Sequence, residues 1–423
     1  MHSKDTIFAL SSGAPPAGIA VIRISGPAAG GALERLAGRV TAARKASAAV
    51  LRDGEGVELD RALVLWLPGP GTATGEDVAE LHLHGGRAVV AATEAALAAI
   101  PGLRRAEAGE FTRRAFANGR IDLAEAEGLA DLLAAETELQ RRAALAAAGG
   151  VLSRQVEDWR TRVLALGAQV EAVLDFGDED DVAGLPPDFS PAVAELAREI
   201  GLWLDRPLVE PLREGFRVVL AGPPNAGKST LFNAMIEDEA AITAPTPGTT
   251  RDLLERPVAI DGVPFTFIDT AGLREGSADA IEVQGITRAR KALARADLIL
   301  WLGAEGEGPA GAWEIAAKSD LGRSKRAASA TVSAITGEGV ADLKNLLVGH
   351  ARAALPAQGA AALNRRQHAL LAEATAALSI ETSNPLIKAE NLRAARIAFD
   401  RIAGRASTED MLNALFGRFC IGK

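Results

Sequence analysis

The sequence predicts a multidomain α+β protein, in which an α/β domain is inserted into a helical domain that follows an N-terminal α+β module. Three patterns succeed one another along the 423 residues. Short apolar runs separated by Gly and Pro fill residues 6–118, long helical periodicity follows, and strands alternate with helices from Phe216 onward. A chain of this length exceeds a single hydrophobic core and favours about three domains.

These patterns divide the chain into four segments. Residues 1–118 are expected to form the N-terminal α+β domain, and residues 213–355 the inserted α/β domain, whose rhythm is typical of a parallel sheet. Residues 119–212 and 356–423 are expected to form two parts of one helical domain. Ser190-Pro191 and residues 407–410 have the composition of helix starts. The expected strands are 18–24, 62–67, 78–83, 217–221, 256–260, 263–268, 297–302 and 328–333.

Composition and charge exclude several classes of protein. A net charge of −9 argues against a chain that binds nucleic acid by bulk electrostatics alone, so an RNA substrate needs a local basic patch or a partner. No apolar run approaches the roughly 18 residues of a membrane span, and the first ten residues lack the pattern of a signal peptide. One cysteine, Cys420, agrees with a reducing compartment. We therefore expect a cytoplasmic protein without membrane contact.

Residues 222–229, Gly-Pro-Pro-Asn-Ala-Gly-Lys-Ser, match the phosphate-binding loop and lie between an expected strand and an expected helix. The glycines let backbone N–H groups approach the phosphates, Lys228 supplies a positive charge, and the Ser229 hydroxyl is a ligand for Mg²⁺. A glycine turn without a ligand is the alternative, which this context disfavours. The nucleotide-binding residues expected here are Gly222, Asn225, Ala226, Gly227, Lys228, Ser229 and Thr230.

Two loops further along the chain complete the predicted phosphate site. A hydroxyl from Thr249 or Thr250, in the Gly-Thr-Thr of residues 248–250, can join the Mg²⁺ ligands and sense the γ-phosphate. The stretch Asp269, Thr270, Ala271 and Gly272 ends an expected strand, so it places a carboxylate and a glycine N–H near the γ-phosphate.

Base recognition is expected from Lys318 and Asp320, because the Asp320 carboxylate can accept hydrogen bonds from N1 and the exocyclic amine of guanine. This type of loop normally starts with Asn, whereas Ala317 stands here. We therefore expect GTP to be preferred over ATP, with weakened affinity. Ser333 and Ala334 fit the remaining loop that contacts the base.

The residue that assists hydrolysis is less obvious. Leu273 stands where a Ras-like switch carries a glutamine that orients water. The sequence offers Glu282 instead, and Asn225 can bind a monovalent cation at the position of an arginine finger.

Three further side chains, Cys420, His82 and His84, have both a chemical and a structural interpretation. Cys420 is either a reactive thiol or buried filler. His82 and His84 alternate along an expected strand, but no third ligand lies nearby in the sequence, so a structural role is favoured over a metal site.

These residues and their flanks resemble the MnmE (TrmE) family of tRNA-modification GTPases over nearly the whole chain. The family's marks are found at residues 5–7, 22–26, 74–81, 109–116 and 419–423. The resemblance implies an N-terminal folate-binding domain, a discontinuous helical domain and an inserted Ras-like P-loop GTPase domain.

Site residues carry over from this resemblance. It implies that K⁺ is held by Asn225, Thr249 and the carbonyls of Ala244 and Thr246, and that Ser229 and Thr250 hold Mg²⁺. Glu282 would position the attacking water indirectly, beside Lys228 and Cys420 as catalytic candidates. The implied folate contacts are Arg23, Glu80, Arg120 and Lys423.

The family also implies a function and partners. A potassium-activated GTPase would act with the FAD-containing flavoprotein MnmG, as a heterotetramer, on C5 of the wobble uridine of tRNA. It would install an aminomethyl or carboxymethylaminomethyl group, with 5-formyl- or methylene-tetrahydrofolate as the one-carbon donor. GTP hydrolysis, with GTP/GDP as the bound nucleotides, would drive a cycle in which the GTPase domains approach and separate. The N-terminal domain would form a homodimer.

Two alternatives from other functional classes stay open at this point. One is a ribosome-assembly or other regulatory GTPase, which the Cys-Ile-Gly-Lys terminus disfavours. The other is a scaffold whose altered base loop, with Ala317 in place of Asn, no longer supports hydrolysis.

Overall fold

The computed structural model describes residues 5–176, 184–237, 240–241, 255–270, 290–322, 324–356, 361–406, 408–417 and 419–422. The chain forms two compact units, Met1–Ala130 with Ala403–Lys423, and Asp131–Ile402. Within the ranges above, no helix has both the length and the apolar character that crossing a membrane requires.

The observed elements agree with the expected alternation. Each strand expected from the sequence overlaps an observed one, and the sequence pattern did not indicate five further strands, β1, β3, β6, β8 and β12. The strands are β1 (Thr6–Leu10), β2 (Ala17–Ser25), β3 (Ser47–Arg52), β4 (Glu58–Leu67), β5 (Val78–Gly85), β6 (Leu103–Arg105), β7 (Phe216–Ala221), β8 (Ala240–Ala241), β9 (Glu255–Ile260), β10 (Val263–Asp269), β11 (Leu298–Trp301), β12 (Trp313–Ala317) and β13 (Ala330–Val332). The α-helices are α1 (Ala29–Ala37), α2 (Arg87–Ala98), α3 (Glu110–Ala117), α4 (Leu123–Leu133), α5 (Glu138–Ala148), α6 (Val151–Phe176), α7 (Phe189–Leu204), α8 (Glu210–Glu214), α9 (Lys228–Ile236), α10 (Val340–Ala354), α11 (Arg365–Leu378), α12 (Pro385–Ala403) and α13 (Glu409–Phe416).

A six-stranded sheet in the order β3-β4-β5-β2-β1-β6 forms the centre of the first unit. Neighbouring strands are antiparallel, apart from β1 and β6, which are parallel. One face packs against α1 and α2 and buries Ile22, Ile24 and Leu81 completely. Because successive side chains of a strand point to opposite faces, Arg23 and Glu80 lie on the other face of the same strands.

The C-terminal segment is part of this first unit. Phe416 and Phe419 form a small apolar cluster with Ala126 of α4. Beyond that cluster the chain passes so close to β1 that a Cβ added to Gly422 would lie 2.0 Å from the carbonyl oxygen of Leu10. Gly422 also has a φ of 96°, so this approach requires glycine for two independent reasons.

Helices from both flanks of the inserted domain pack together in the second unit. The Trp159 ring of α6 lies 6.0 Å, centroid to centroid, from Trp203 of α7 and 6.0 Å from Phe399 of α12. An ion pair of 2.8 Å joins Arg160 Nε to Asp400 Oδ1 beside this aromatic cluster. Fully burying an aromatic ring of this size contributes about 1.5–3 kcal/mol, so Trp159 is an anchor of the helical bundle.

One helix start differs from the sequence prediction and another agrees with it. Ser190-Pro191 was expected to begin a helix, but α7 already begins at Phe189, with Asp188 preceding it. That prediction is wrong because Phe189 is itself buried, and its packing extends the helix toward the N-terminus. Helix α13 begins at Glu409, directly after Thr408, within the expected start, although the Thr408 side chain makes no capping hydrogen bond.

The second unit contains a seven-stranded sheet in the order β13-β12-β11-β7-β10-β9-β8. The five strands from β13 to β10 are parallel, and β9 and β8 extend the sheet antiparallel. Its core contains Val218, Phe265 and Leu300 from the sheet, together with Leu231 of α9 and Leu347 of α10. The carboxyl ends of β7, β10, β12 and β13 therefore lie along one edge, where ligands bind in open α/β sheets.

Parallel strands β11 and β12 are connected by residues 302–312 without a helix, although such crossovers usually contain one. The Trp301 ring fills part of the space between this connection and the sheet. Gly303 and Gly308 pack so closely on the ring that Cβ atoms added to them would lie only 2.4 Å and 2.8 Å from it. Lys325 reinforces the crossing, because its Nζ donates to the Trp301 carbonyl oxygen at 3.0 Å and pairs with Glu314 of β12. These contacts explain how so short a connection crosses between the two strands.

Candidate functional site

The phosphate loop joins the end of β7 to the start of α9, as expected from the sequence. Gly227 is the N-cap of α9 and has a φ of 101°, a conformation that side chains rarely adopt. A Cβ on Gly227 would also lie 3.3 Å from Lys318 Cε. The loop therefore brings backbone N–H groups and a helix N-terminus to one place, which is the geometry that binds phosphate.

Lys228 lies buried beneath this loop, with 6% of its surface exposed. Its Nζ donates hydrogen bonds to the carbonyl oxygens of Gly222 at 3.0 Å and Pro223 at 2.8 Å. The ammonium group is thus held inside the loop, where a bound phosphate would meet it.

A hydroxyl and a carboxylate meet next to this ammonium group. Ser229 Oγ donates to Asp269 Oδ2 at 2.6 Å, and Asp269 ends β10 with 7% of its surface exposed. The Thr270 hydroxyl turns away and donates to the carbonyl oxygen of Leu220 at 2.8 Å. Hard oxygen atoms of this kind are the ligands that Mg²⁺ prefers, so the Ser229–Asp269 pair fits a magnesium site.

The base loop lies across the phosphate loop. Lys318, with a φ of 64°, reaches over Gly227 and donates from Nζ to the Asn225 carbonyl oxygen at 2.7 Å. The fully buried Ser333 donates from Oγ to Asp320 Oδ1 at 2.6 Å and orients that carboxylate. These two contacts brace the loop in which Ala317 replaces the usual Asn.

The remaining described residues of the predicted nucleotide site have smaller roles in the geometry. Ala226 and Ala334 pack in or against the apolar core of the second unit, whereas Thr230 is exposed on the first turn of α9. Several predicted residues lie outside the described ranges: Ala244, Thr246, Thr249, Thr250, Ala271, Gly272, Glu282 and Lys423.

In the first unit, the sheet register brings two predicted folate residues together. Arg23 of β2 lies directly opposite Glu80 of β5, and its Nε donates to Glu80 Oε1 at 2.9 Å. The Arg23 guanidinium also lies 5.8 Å from the centroid of the Phe111 ring. Arg120 is exposed, and its Cγ lies 3.2 Å from where a Cβ of Gly75 would be.

Near Arg23, the structure reveals an ion cluster that sequence reasoning did not assign. Arg114, almost fully buried, forms ion pairs with Glu76 at 3.2 Å, Glu110 at 3.0 Å and Asp5 at 2.9 Å. Burial alone would raise the pKa of Glu110, but hydrogen bonds from Arg104 and Arg114 outweigh it and lower that pKa. All three acidic partners lie within the sequence segments that mark the family. This shared location is the signal from which the sequence could have indicated the cluster.

Cys420 lies in the first unit with its side chain exposed. The alternative of buried filler is therefore wrong: the adjacent Phe419 occupies the apolar cluster, which leaves Cys420 on the outside. A chemical role for Cys420 stays a prediction.

The parallel sheet, the phosphate loop and the base loop together define a P-loop GTPase domain. The chain also matches two family models, one described as the MnmE helical domain over residues 123–420 and one as the GTP-binding protein TrmE N-terminus over residues 6–120. The chain therefore belongs to the MnmE (TrmE) family of tRNA modification GTPases.

Full-length relatives support this assignment. The chain is 64% identical to the tRNA modification GTPase MnmE of Novosphingobium aromaticivorans, covering 99% of this chain and 100% of that protein. It is 66% identical to the MnmE of Erythrobacter litoralis, with the same coverage. A solved structure, the G domain of the FeoB iron transporter of T. maritima, matches 32% of this chain and 98% of that chain at 24% identity, with a TM-score of 0.22. Membership of the family confirms the predicted class of enzyme, a GTP hydrolase that acts in tRNA modification.

Proposed function

We propose that this chain is a potassium-activated GTPase that works with a flavoprotein to modify C5 of the wobble uridine of tRNA. The observation that carries the proposal is the convergence of Lys228, the Ser229–Asp269 pair and the Ser333–Asp320 pair around one phosphate loop. This set of groups supplies a positive charge for phosphate, oxygen ligands for a divalent cation and an acceptor for guanine. The altered base loop retains its acceptor, so we favour an active GTPase over a hydrolysis-impaired scaffold.

The chain's own groups would divide the work of hydrolysis. Lys228 would bind the β- and γ-phosphates, while Ser229 and Thr250 would hold Mg²⁺. Asn225 and Thr249, with the carbonyls of Ala244 and Thr246, would hold K⁺, and Glu282 would position the attacking water indirectly. The two cations would supply positive charge for the transferring phosphoryl group.

The cation requirement gives the direct test. GTP hydrolysis by the purified chain is expected to be at least about tenfold faster in K⁺ than in Na⁺ at equal ionic strength, because an ion that replaces an arginine finger must fit its ligands. Asn225→Ala should remove the difference, and Asn345→Ala, a change in α10, should retain it. Equal, negligible rates in both salts would eliminate the proposal of an active hydrolase.

For the first unit, we propose a tetrahydrofolate site built from Arg23, Glu80, Arg120 and Lys423. The support is the Arg23–Glu80 pair on an open sheet face, and the passage of the C-terminal segment against β1. Ser11 Oγ donates to the Gly422 carbonyl oxygen at 2.8 Å, which ties down the residue before Lys423. The ligand would be 5-formyl- or methylene-tetrahydrofolate, whose one-carbon unit would enter the modified base.

A titration with 5-formyltetrahydrofolate tests this site. Arg23→Ala is expected to weaken binding at least about tenfold, because it removes a cation and releases the Glu80 carboxylate. Arg61→Ala is the matched control, since Arg61 lies on the same face but pairs with Glu58 at 2.9 Å. Indistinguishable binding by wild type and Arg23→Ala would remove Arg23 from the site.

The proposed partners follow from the family. A heterotetramer with the FAD-containing protein MnmG would act on tRNA in the cytoplasm and install an aminomethyl or carboxymethylaminomethyl group. Nucleoside analysis of tRNA from cells that lack this protein is expected to show wobble uridines without the C5 group. Unaltered nucleosides would contradict the proposed pathway.

We also propose a homodimer through the N-terminal domain. The sheet face opposite α1 and α2 exposes apolar side chains: Ile19 at 62%, Leu63 at 52% and Val50 at 36%. A second copy of this face is the occupant we favour, because it would cover three exposed apolar side chains on one face of the sheet. Leu63→Glu is expected to convert the dimer to a monomer in light scattering, whereas Leu346→Glu, an equally exposed position on α10, should not.

A further inference from the structure

The Glu80 carboxylate is held from both sides on the open face of the N-terminal sheet. Arg23 Nε donates to Oε1 at 2.9 Å, and His82 Nε2 lies 3.3 Å from Oε2. The three side chains are partly buried, with 25%, 16% and 30% exposed for Arg23, Glu80 and His82. Each oxygen of this carboxylate therefore has its own nitrogen partner.

The sheet fixes this arrangement. Glu80 and His82 are two residues apart on β5, so they point to the same face, and Arg23 lies directly opposite Glu80 on β2. His84, the next residue on that face, has a different partner: its Nδ1 lies 2.7 Å from Asp60 Oδ1, and 74% of its side chain is exposed. Only one of the two histidines thus contacts the proposed folate residues.

We propose that His82 is a positioning residue of the tetrahydrofolate site, which orients the Glu80 carboxylate toward the ligand. This inference rests on the proposed folate function of the first unit. It revises the structural role that the sequence favoured for His82 and assigns no metal to it.

The chemistry of the ligand gives the physical reason. A pteridine ring presents a ring N–H and an exocyclic amine side by side, and a carboxylate accepts from such a pair in a bidentate manner. An ionised carboxylate has about four lone-pair sites, so Glu80 can accept from the ligand while Arg23 and His82 hold its plane. An imidazole with a proton on Nε2 supplies the required donor.

Calorimetric titration of the full chain with 5-formyltetrahydrofolate tests the inference. His82→Ala removes the donor and should bind about three- to tenfold more weakly than wild type. His82→Gln keeps an N–H donor, so it should restore the Kd to within about twofold of wild type.

The controls separate this inference from the function on which it rests. His84→Ala is matched in residue type and in its place on the sheet face, and it should bind within about twofold of wild type. Wild-type affinity in His82→Ala would overturn the role of His82 while leaving the folate site intact. Absence of binding by the wild type would instead overturn the proposed folate function.

Discussion

The two candidate sites of this molecule are built in opposite ways. The phosphate loop is one continuous segment between β7 and α9, so its glycines, lysine and serine are positioned by local backbone geometry. The folate candidates are far apart in the sequence, and Arg23 meets Glu80 only through the pairing of β2 with β5. A local site can be identified from spacing alone, whereas a site assembled by sheet register requires the fold or a family resemblance.

The two candidate sites are built from different residues, so a substitution in one site should leave ligand binding at the other unaffected. Lys228→Ala removes the buried ammonium group of the phosphate loop, and GTP hydrolysis is expected to fall at least about a hundredfold, because charge on the transferring phosphate loses its counterion. Binding of 5-formyltetrahydrofolate should remain within about twofold. Turnover and titration of the same preparation measure both quantities.

Lys344→Ala, a change on α10 in the same domain, serves as the control and should retain normal hydrolysis. Retention of more than about half of the activity in Lys228→Ala would contradict the assignment of this loop as the catalytic phosphate site.

The base loop of the nucleotide site also depends on a contact that is distant in the sequence. Ser333, which orients Asp320, lies thirteen residues further along the chain. Asp320→Asn is expected to weaken GTP binding about a hundredfold, since the carboxylate that accepts from guanine becomes an amide. The same amide can donate to the C2 carbonyl of xanthine, so binding of xanthosine triphosphate should improve. Competition for a fluorescent guanine nucleotide measures both changes, and unaltered GTP affinity would exclude Asp320 from base recognition.

The close approach of the C-terminal segment to β1 provides a test of the proposed folate site that does not alter the GTPase domain. Gly422→Ala is expected to lower the free energy of unfolding by about 1–3 kcal/mol and to weaken folate binding at least about tenfold, because the added methyl group would overlap the Leu10 carbonyl. GTP hydrolysis by the isolated chain should not change.

Gly102→Ala is the matched control for this change. Gly102 has a similar positive φ of 85°, but nothing lies within 4 Å of an added Cβ, so only the backbone strain of about 1 kcal/mol should appear. Equal folate affinities for the two variants would contradict a role for the C-terminal segment in that site.

The smallest effect concerns the ion cluster around Arg114. The folded state lowers the pKa of Glu110, so its contribution to stability is complete above the ordinary value of 4.5 and is lost as the pH falls through the lowered value. Glu110→Gln should lower the free energy of unfolding by about 1–2 kcal/mol at pH 7, and the difference from wild type should shrink toward pH 3.5.

Urea denaturation across this pH range measures that difference. Glu58→Gln, in an exposed ion pair, should stay within about 0.5 kcal/mol of wild type at every pH. A difference that does not depend on pH would show that Glu110 acts through packing rather than through its charge.

The sequence was informative wherever structure depends on neighbours in the chain. The phosphate loop, the eight expected strands and the start of α13 follow from local spacing, and the family resemblance supplied Arg23 and Glu80. Strands β1, β3, β6, β8 and β12 were not anticipated. The crossing from β11 to β12 depends on contacts of Trp301 and Lys325 with residues outside the local pattern. The exposure of Cys420 depends on which neighbour enters the apolar cluster, and composition cannot decide that.

The helix-free connection between β11 and β12 also offers an optical readout. The chain has five tryptophans and no tyrosine, so its near-ultraviolet emission comes from few indoles. Trp301 pairs in the sheet with Ala221, the residue immediately before the phosphate loop, and its ring lies under Gly303 and Gly308. Native fluorescence should therefore register the arrival of a nucleotide without any attached dye, and Trp301→Phe would identify the share of the signal that comes from this one ring.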